Sequence, residues 1–298
     1  MFLKKFNMKK LSLLLLLIVL YLAASPQSNI PAPDNKAKRF FFSMNYSYLD
    51  SDLKLLSMTK HSVWDGMDYG ITELDQDQID TLNSFISYKE KLHDLNLTAG
   101  MVLLKTPGSP WNIDCQLVLG LVKRANFIVN TAINTTEQEI NSENFSPTFG
   151  IGLNFSYLLD EKWKLKLYTQ TLYSSGTTDE IQDNIFPEVP TMDESRESKF
   201  KESYSRIDLL AAFNINNFSV SAGPGFYFLY NMHKYEIART NPENGKIYED
   251  TIETSMKNKT FINGNINLGW KFSNHILLNA GAGISNDITV TAGLVYFL

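Results

Sequence analysis

Acid–base chemistry at neutral pH calls for histidine, or for a carboxylate whose pKa has been moved. The chain has four histidines, His61, His93, His233 and His275. Ser62 and Asp65 follow His61 closely, which supplies the residue types of a nucleophile, a base and an orienting acid. Three groups this close along one loop seldom converge, so the stretch reads as a solvated surface. His93 adjoins Asp94. Neighbouring strand residues point to opposite faces, and the two cannot cooperate without a bulge. His233 falls in a long connection and His275 in a short turn, both facing solvent. The single cysteine, Cys115, allows no intramolecular disulfide and no thiolate metal cluster. Acidic runs at 73–80, 137–139 and 193–197 lack the Asp/Asn ladder of a calcium loop. The sequence nominates no catalytic residue, no metal site and no cofactor.

A second set of charges is placed differently. Asp94, Asp114, Lys164, Lys166, Arg206, Asp208 and Lys271 fall on the polar side of stretches whose every second residue is apolar. If that side lines an enclosed space, two readings follow. Opposite charges at similar depth neutralise one another in a packed interior, because a buried charge needs a partner. The other reading is a narrow polar pore whose charges tune selectivity.

The alternation that positions these charges is the dominant pattern of the chain. Phe40, Phe42, Met44, Tyr46 and Tyr48 share one side against Phe41, Ser43, Asn45 and Ser47. Nine further stretches repeat it, and a period of two marks a strand with unlike faces. Each runs for about ten residues, the length a tilted strand needs to cross a bilayer. The last, 288–298, carries Val290, Leu294, Tyr296 and Leu298 against Thr289, Thr291 and Gly293. Such a strand needs partners on both edges, and pairing it with the first closes a barrel.

A soluble barrel shows the same period with its apolar side inward. Here the polar sides are mostly Asn, Gly, Ser and Thr, which suit a crowded interior better than a water-facing surface. The apolar sides are nearly free of charge, as a bilayer demands when one Arg or Lys at midplane costs about 2–4 kcal/mol. Connections alternate between long (50–92, 123–147, 175–203, 232–258) and short (105–111, 159–162, 214–217, 273–275), with 286–287 the exception. Short turns face the periplasm and long loops the exterior in this class. Trp111, Trp163, Phe218, Trp270 and Phe272 gather at the short-turn ends. Tyr46, Tyr48, Phe149, Tyr173, Tyr204, Phe228 and Tyr230 gather at the other, which predicts two aromatic girdles. A mean hydropathy of −0.17 fits either kind of barrel, and a net charge of −5 argues against a nucleic-acid partner.

At the N-terminus, Lys4, Lys5, Lys9 and Lys10 precede an apolar run at 11–22 and the small residues Ala23, Ala24 and Ser25. That is the layout of a cleaved secretory signal, and no cysteine follows it to make a lipoprotein. Residues 1–24 are read as signal peptide, 25–38 as a periplasmic lead-in and 39–298 as the barrel. Val290, Leu294, Tyr296 and Leu298 resemble the C-terminal assembly signal of bacterial outer-membrane barrels, with Leu in place of the commoner terminal Phe. The whole mature chain resembles the broad family of small outer-membrane β-barrel proteins of Gram-negative bacteria.

The resemblance implies an all-β fold, a transmembrane antiparallel up-and-down β-barrel of about ten strands, with eight or twelve left open. It implies the outer membrane as location, outer-membrane lipids and lipopolysaccharide as contacts, and the barrel-assembly machinery as a partner during biogenesis. Ten-stranded members of the family include proteases that use Asp and His at the outer rim, the position of His93 and Asp94. The leading expectation is a non-enzymatic barrel whose long extracellular loops have a structural, binding or shielding role. The alternative is a narrow, porin-like channel for small solutes. No motif identifies a subfamily or an external ligand.

Overall fold

The computed structural model describes residues 40–104, 110–130, 135–141, 145–178, 180–183, 193–284 and 288–298. The segments read as signal peptide and lead-in, and the turn at 286–287, lie outside the described residues. In chain order the elements are β1 (Phe40–Trp64), β2 (Met67–Glu73), the helix α1 (Gln76–Phe85), β3 (Ile86–Leu104), β4 (Trp111–Asn130), β5 (Thr135–Asn141), β6 (Ser146–Leu158), β7 (Trp163–Thr178), β8 (Glu180–Asp183), β9 (Asp193–Ile215), β10 (Phe218–Thr240), β11 (Ile247–Asn258), β12 (Ile262–Lys271), β13 (Ile276–Ile284) and β14 (Ile288–Phe297).

Ten of these strands, β1, β3, β4, β6, β7, β9, β10, β12, β13 and β14, pair antiparallel in that order, and β14 returns to β1. Along the closing seam Phe41 faces Phe297 at one end and Asp50 faces Ile288 at the other. Closure leaves no free edge, which backbone in hydrocarbon requires. The short turns are stabilised locally. Asp160 accepts the backbone N–H groups of Trp163 and Lys162, each at 2.7 Å, and these bonds hold its carboxyl below the usual range. Small inward residues let neighbouring chains approach. A Cβ on Gly225 would overlap the Asn265 amide, and one on Gly293 would overlap the amides of Asn45 and Asn279.

The strands do not stop at the membrane. β1 runs for 25 residues and β9 and β10 for 23 each, about twice what a bilayer needs. The sequence reading of 50–92, 175–203 and 232–258 as long loops is corrected here, since most of those residues are strand. Out of the membrane both faces of a strand can be polar, so the apolar contrast that betrays a strand in the sequence fades. Lys199 pairs across strands with Glu236 at 3.1 Å and Lys234 pairs along β10 with Glu236 at 2.7 Å, an ion ladder in place of hydrophobes.

β11 accounts for the one connection that broke the alternation. Along β1 it lies directly above β14, with Leu53 opposite Asn258 and Trp64 opposite Tyr248. Along β10 it lies directly above β12, from Tyr230 opposite Lys257 to Thr240 opposite Ile247. One strand thus spans the gap left by the three short ones, β12, β13 and β14.

The helix α1 closes on itself with a capping box. Gln78 N–H donates to Asp75 Oδ1 at 2.9 Å, and Asp75 N–H donates to Gln78 Oε1 at 3.0 Å. Asn83 then clamps the helix to β1, accepting from Leu55 N–H at 2.9 Å and donating to Leu55 C=O at 3.0 Å. Leu55 is free to do this because the β1–β11 ladder bulges between Leu55 and Ser57.

Candidate functional site: a lumen sealed beneath an outer crown

The inward sides of the membrane-level strands carry the charges singled out in the sequence. Asp94 accepts from Asn96 Nδ2 at 2.6 Å. Asp114 accepts from Asn154 Nδ2 at 3.0 Å and Gln116 Nε2 at 3.1 Å. Arg206 pairs with Asp208 at 2.6 Å, and Asp208 also accepts from Asn265 Nδ2 at 2.6 Å. Lys166 lies within electrostatic reach of Asp114 and of Lys164. Lys271, opposite Leu277 near the end of β12, joins none of these pairs among the described residues. Among these groups lies a cavity of about 330 Å³, bordered by Asp94, Lys166, Tyr168, Arg206 and Asp208. Its lining mixes polar and apolar side chains, and oxygens of Asp94 and Asn96 have no protein partner, which suits ordered water beside them.

Above this cavity the lumen is filled. Leu53, Leu55, Tyr227 and Leu229 are each 1% exposed and pack with Leu49, Leu92, Val122 and Met256. Ile79 and Leu82 of α1 pack onto the same cluster from outside the membrane. Each such side chain contributes about 1.5–3 kcal/mol on burial, so the plug is held firmly.

A charged layer that sequence reasoning missed sits at the same level. Arg124 pairs with Glu202 at 2.9 Å and Glu90 at 3.3 Å, and its guanidinium lies 3.2 Å over the Phe200 ring. Asn231 Nδ2 donates to Glu90 at 3.0 Å. Continuing the inward parity of Asp114 and Val122 by one step finds Arg124, and Glu90 and Glu202 follow likewise from Asp94 and Arg206.

Beyond the plug, β1, β2, β9, β10 and β11 build a crown above the membrane. One side carries the ion ladder described above. The other gathers Glu194 between Arg196 and Arg239, the latter at 2.9 Å. Asp250 accepts from Ser62 Oγ at 2.6 Å and pairs with Lys60 at 3.3 Å. Trp64 stacks between Tyr248 at 5.3 Å and Tyr69 at 5.7 Å, beside a second cavity of about 320 Å³ that Ser62, Arg239 and Asp250 also line.

The histidines are dispersed. His93 faces outward and shares a hydrogen bond with Tyr46 Oη at 2.7 Å, while Asp94 faces the lumen. His61 pairs with Asp68 at 3.0 Å, whereas Ser62 bonds Asp250 and Asp65 pairs with Lys246 at 3.3 Å, so these three form no set. His233, read from sequence as solvated, is instead buried against Ser198. Its strand extends above the membrane with this side turned inward. His275 bonds the Phe297 carbonyl at 2.8 Å.

The outer wall decides the environment. Leu97 (61% exposed), Leu119 (57%), Ile151 (65%), Leu209 (51%) and Ile266 (50%) belong to a belt of bare hydrophobes. In water such a surface is untenable, and in hydrocarbon it is satisfied. Among the described residues no helix is long and apolar enough to cross a membrane; the strands do the crossing. At the short-turn end Trp111 meets Tyr157 and Trp163 meets Phe213, both with ring centroids 4.7 Å apart. Phe218, Trp270 and Phe272 follow at 6.0 and 5.4 Å. At the other end Tyr46, Phe149, Phe228 and Tyr230 are exposed, but Tyr204 is not part of that girdle. It shares the inward parity of Arg206 and packs against the plug, with its ring 6.2 Å from Tyr227. Val290, Leu294, Tyr296 and Leu298 all face outward.

No protein-family model matches the sequence, and no curated protein sequence matches it. Solved structures similar to the chain are outer-membrane barrels. The translocator domain of the autotransporter NalP from Neisseria meningitidis is 9% identical, over 88% of this chain and 90% of that one, with a TM-score of 0.39. The outer-membrane protease OmpT from Escherichia coli is 13% identical, over 91% and 100%, with a TM-score of 0.39. The toluene transporter TodX from Pseudomonas putida is 11% identical, over 89% and 90%, with a TM-score of 0.37. Likeness of this degree transfers no role. The closed antiparallel ring, the apolar outer wall and the one-sided long excursions are the architecture of the Gram-negative outer membrane, where this barrel belongs.

Proposed function

We propose that this outer-membrane barrel is a non-enzymatic, non-conducting protein whose work is done by the crown it raises outside the cell, in binding or shielding. The observation that carries the reading is the plug. Leu53, Leu55, Tyr227 and Leu229 are almost wholly buried at the level where a channel would open. Dispersed histidines supply the second support, because none stands beside an accessible nucleophile. The stacked Trp64, Tyr69 and Tyr248 beside Arg239 and Asp250 give the crown a surface with both apolar and polar contacts. Rigid aromatics flanked by a few placed polar groups are the usual make-up of a binding face.

The cavity around the charged Asp94, Lys166 and Arg206 favours a second reading, a narrow solute channel gated by the plug. Planar-bilayer recording separates the two. The purified barrel is expected to give no discrete openings, and replacing Leu53 and Leu229 together by Ala is expected to create them. Openings in the wild type that change when Lys164 or Lys166 is replaced would establish the channel instead. Incubation with lipopolysaccharide, phospholipid and peptides is expected to show no turnover.

A further inference from the structure

The charges on the outer wall are not evenly balanced where the apolar belt ends. On β9 and β10 two outward lysines are matched, Lys199 by Glu197 at 3.2 Å and Glu236 at 3.1 Å, and Lys234 by Glu236 at 2.7 Å, while Lys201 joins no ion pair among the described residues. On β3 and β4 the corresponding residues are Lys91, His93 and Lys123. Among the described residues no carboxylate lies within ion-pair distance of Lys91 or Lys123, although Asp50 stands opposite Lys91 across the β1–β3 ladder. His93 is directly opposite Lys123 across the β3–β4 ladder, and Lys91 is two residues further out on the same side. Opposed pairs stand about 5 Å apart and alternate residues about 7 Å, so three cationic or hydrogen-bonding groups share one small patch.

The surroundings fix the depth of this patch. Tyr46 and Tyr48 hold His93 from the neighbouring strand, by a 2.7 Å hydrogen bond and a 5.0 Å ring contact. Lys91 lies 5.0 Å over the Phe127 ring. Immediately toward the membrane, on the same outward side, come Leu95, Leu97, Leu119 and Leu121, all exposed. Positive charge only partly offset by Asp50, an aromatic rim and a bare aliphatic wall therefore follow one another down two adjacent strands. That order mirrors a lipid with an anionic headgroup above its acyl chains.

We propose that Lys91, Lys123 and His93 bind a phosphate-bearing headgroup of the outer leaflet, with its chains lying on Leu95, Leu97, Leu119 and Leu121. Lysine serves such a group as a point charge. The inference is independent of whether the lumen conducts.

The test uses the full barrel in detergent, delipidated and then offered lipopolysaccharide, a zwitterionic phospholipid or inorganic phosphate, with bound lipid counted by native mass spectrometry. The double variant Lys91→Gln/Lys123→Gln is expected to retain lipopolysaccharide about tenfold or more less well than wild type. Lys199→Gln/Lys234→Gln, on the matched side, is expected to retain it unchanged, and Lys91→Arg/Lys123→Arg to retain most of it. Raised salt should weaken wild-type retention, and the zwitterionic lipid should bind both forms alike. Folding of every variant is checked by heat-dependent gel mobility, so loss of retention is scored on folded barrel alone. Equal lipopolysaccharide retention by wild type and the glutamine double variant would overturn the proposal. So would thermal stabilisation by inorganic phosphate alone that matches that by lipopolysaccharide, since the patch would then be a free-anion site.

Discussion

His233 shows what a single side chain gains from its place in the fold. It lies on the inward side of β10 above the apolar belt, against Ser198, and burial followed by the nearby Arg124 guanidinium pulls its pKa down to about 4. The unfolded chain, at the ordinary value of 6.5, takes up the proton first. Stability is therefore complete above that value and declines as the pH falls toward 4, by about 1.4 kcal/mol per unit at most. Urea unfolding of wild type and His233→Gln across this range is expected to show a pH slope that the variant lacks. The sequence reads His233 as part of a solvated loop because the alternation of apolar and polar residues fades before it. Arg124, Glu90 and Glu202 escaped notice for the same reason. A buried cation flanked by two carboxylates carries no motif in the sequence, since its partners lie on separate strands.

At the scale of elements, the plug depends on a short helix that no periodicity advertised. α1 spans ten residues with Ile79 as its one buried side chain, so its helical pattern is faint. The Asp75/Gln78 capping box and the Asn83 clamp hold it in place. Removing the cap with Asp75→Ala is expected to cost about 0.5–2 kcal/mol locally. Limited proteolysis should then cut within 76–85 faster, while the heat-dependent mobility of the barrel stays as in wild type. Equal protection of the helix in both proteins would show that the clamp alone suffices. The membrane-level strands were far more legible. Their turns at Asp160 and Asn216 and their two-residue period place them within a residue or two, because one wet side and one oily side must alternate.

For the whole molecule the governing fact is that the solvent changes along the barrel axis. Leu97 is 61% exposed at mid-height and faces hydrocarbon, whereas Lys89 on the same strand and side stands in water. Leu97→Lys is expected to destabilise the barrel in bilayers by about 2–4 kcal/mol, measured as a shift of the urea refolding midpoint. In a soluble barrel the same change at an exposed site would be nearly neutral, so a null result would reject hydrocarbon as the surroundings of this wall.

Alternation, girdles and unequal connections were enough to read from sequence a closed ring of about ten strands, with eight or twelve left open, and which side of each meets lipid. Those features are local, set by the two-residue repeat and by the cost of a charge in hydrocarbon. Only the tertiary structure decided that β11 stands above three short strands, that α1 and the β1 leucines pack into one cluster with Tyr227 and Leu229, and that among the described residues Lys199 and Lys234 find ion pairs where Lys91 and Lys123 do not. Each of these depends on which distant strands become neighbours above the membrane, where water accepts either face and a strand's own pattern no longer says what it will meet.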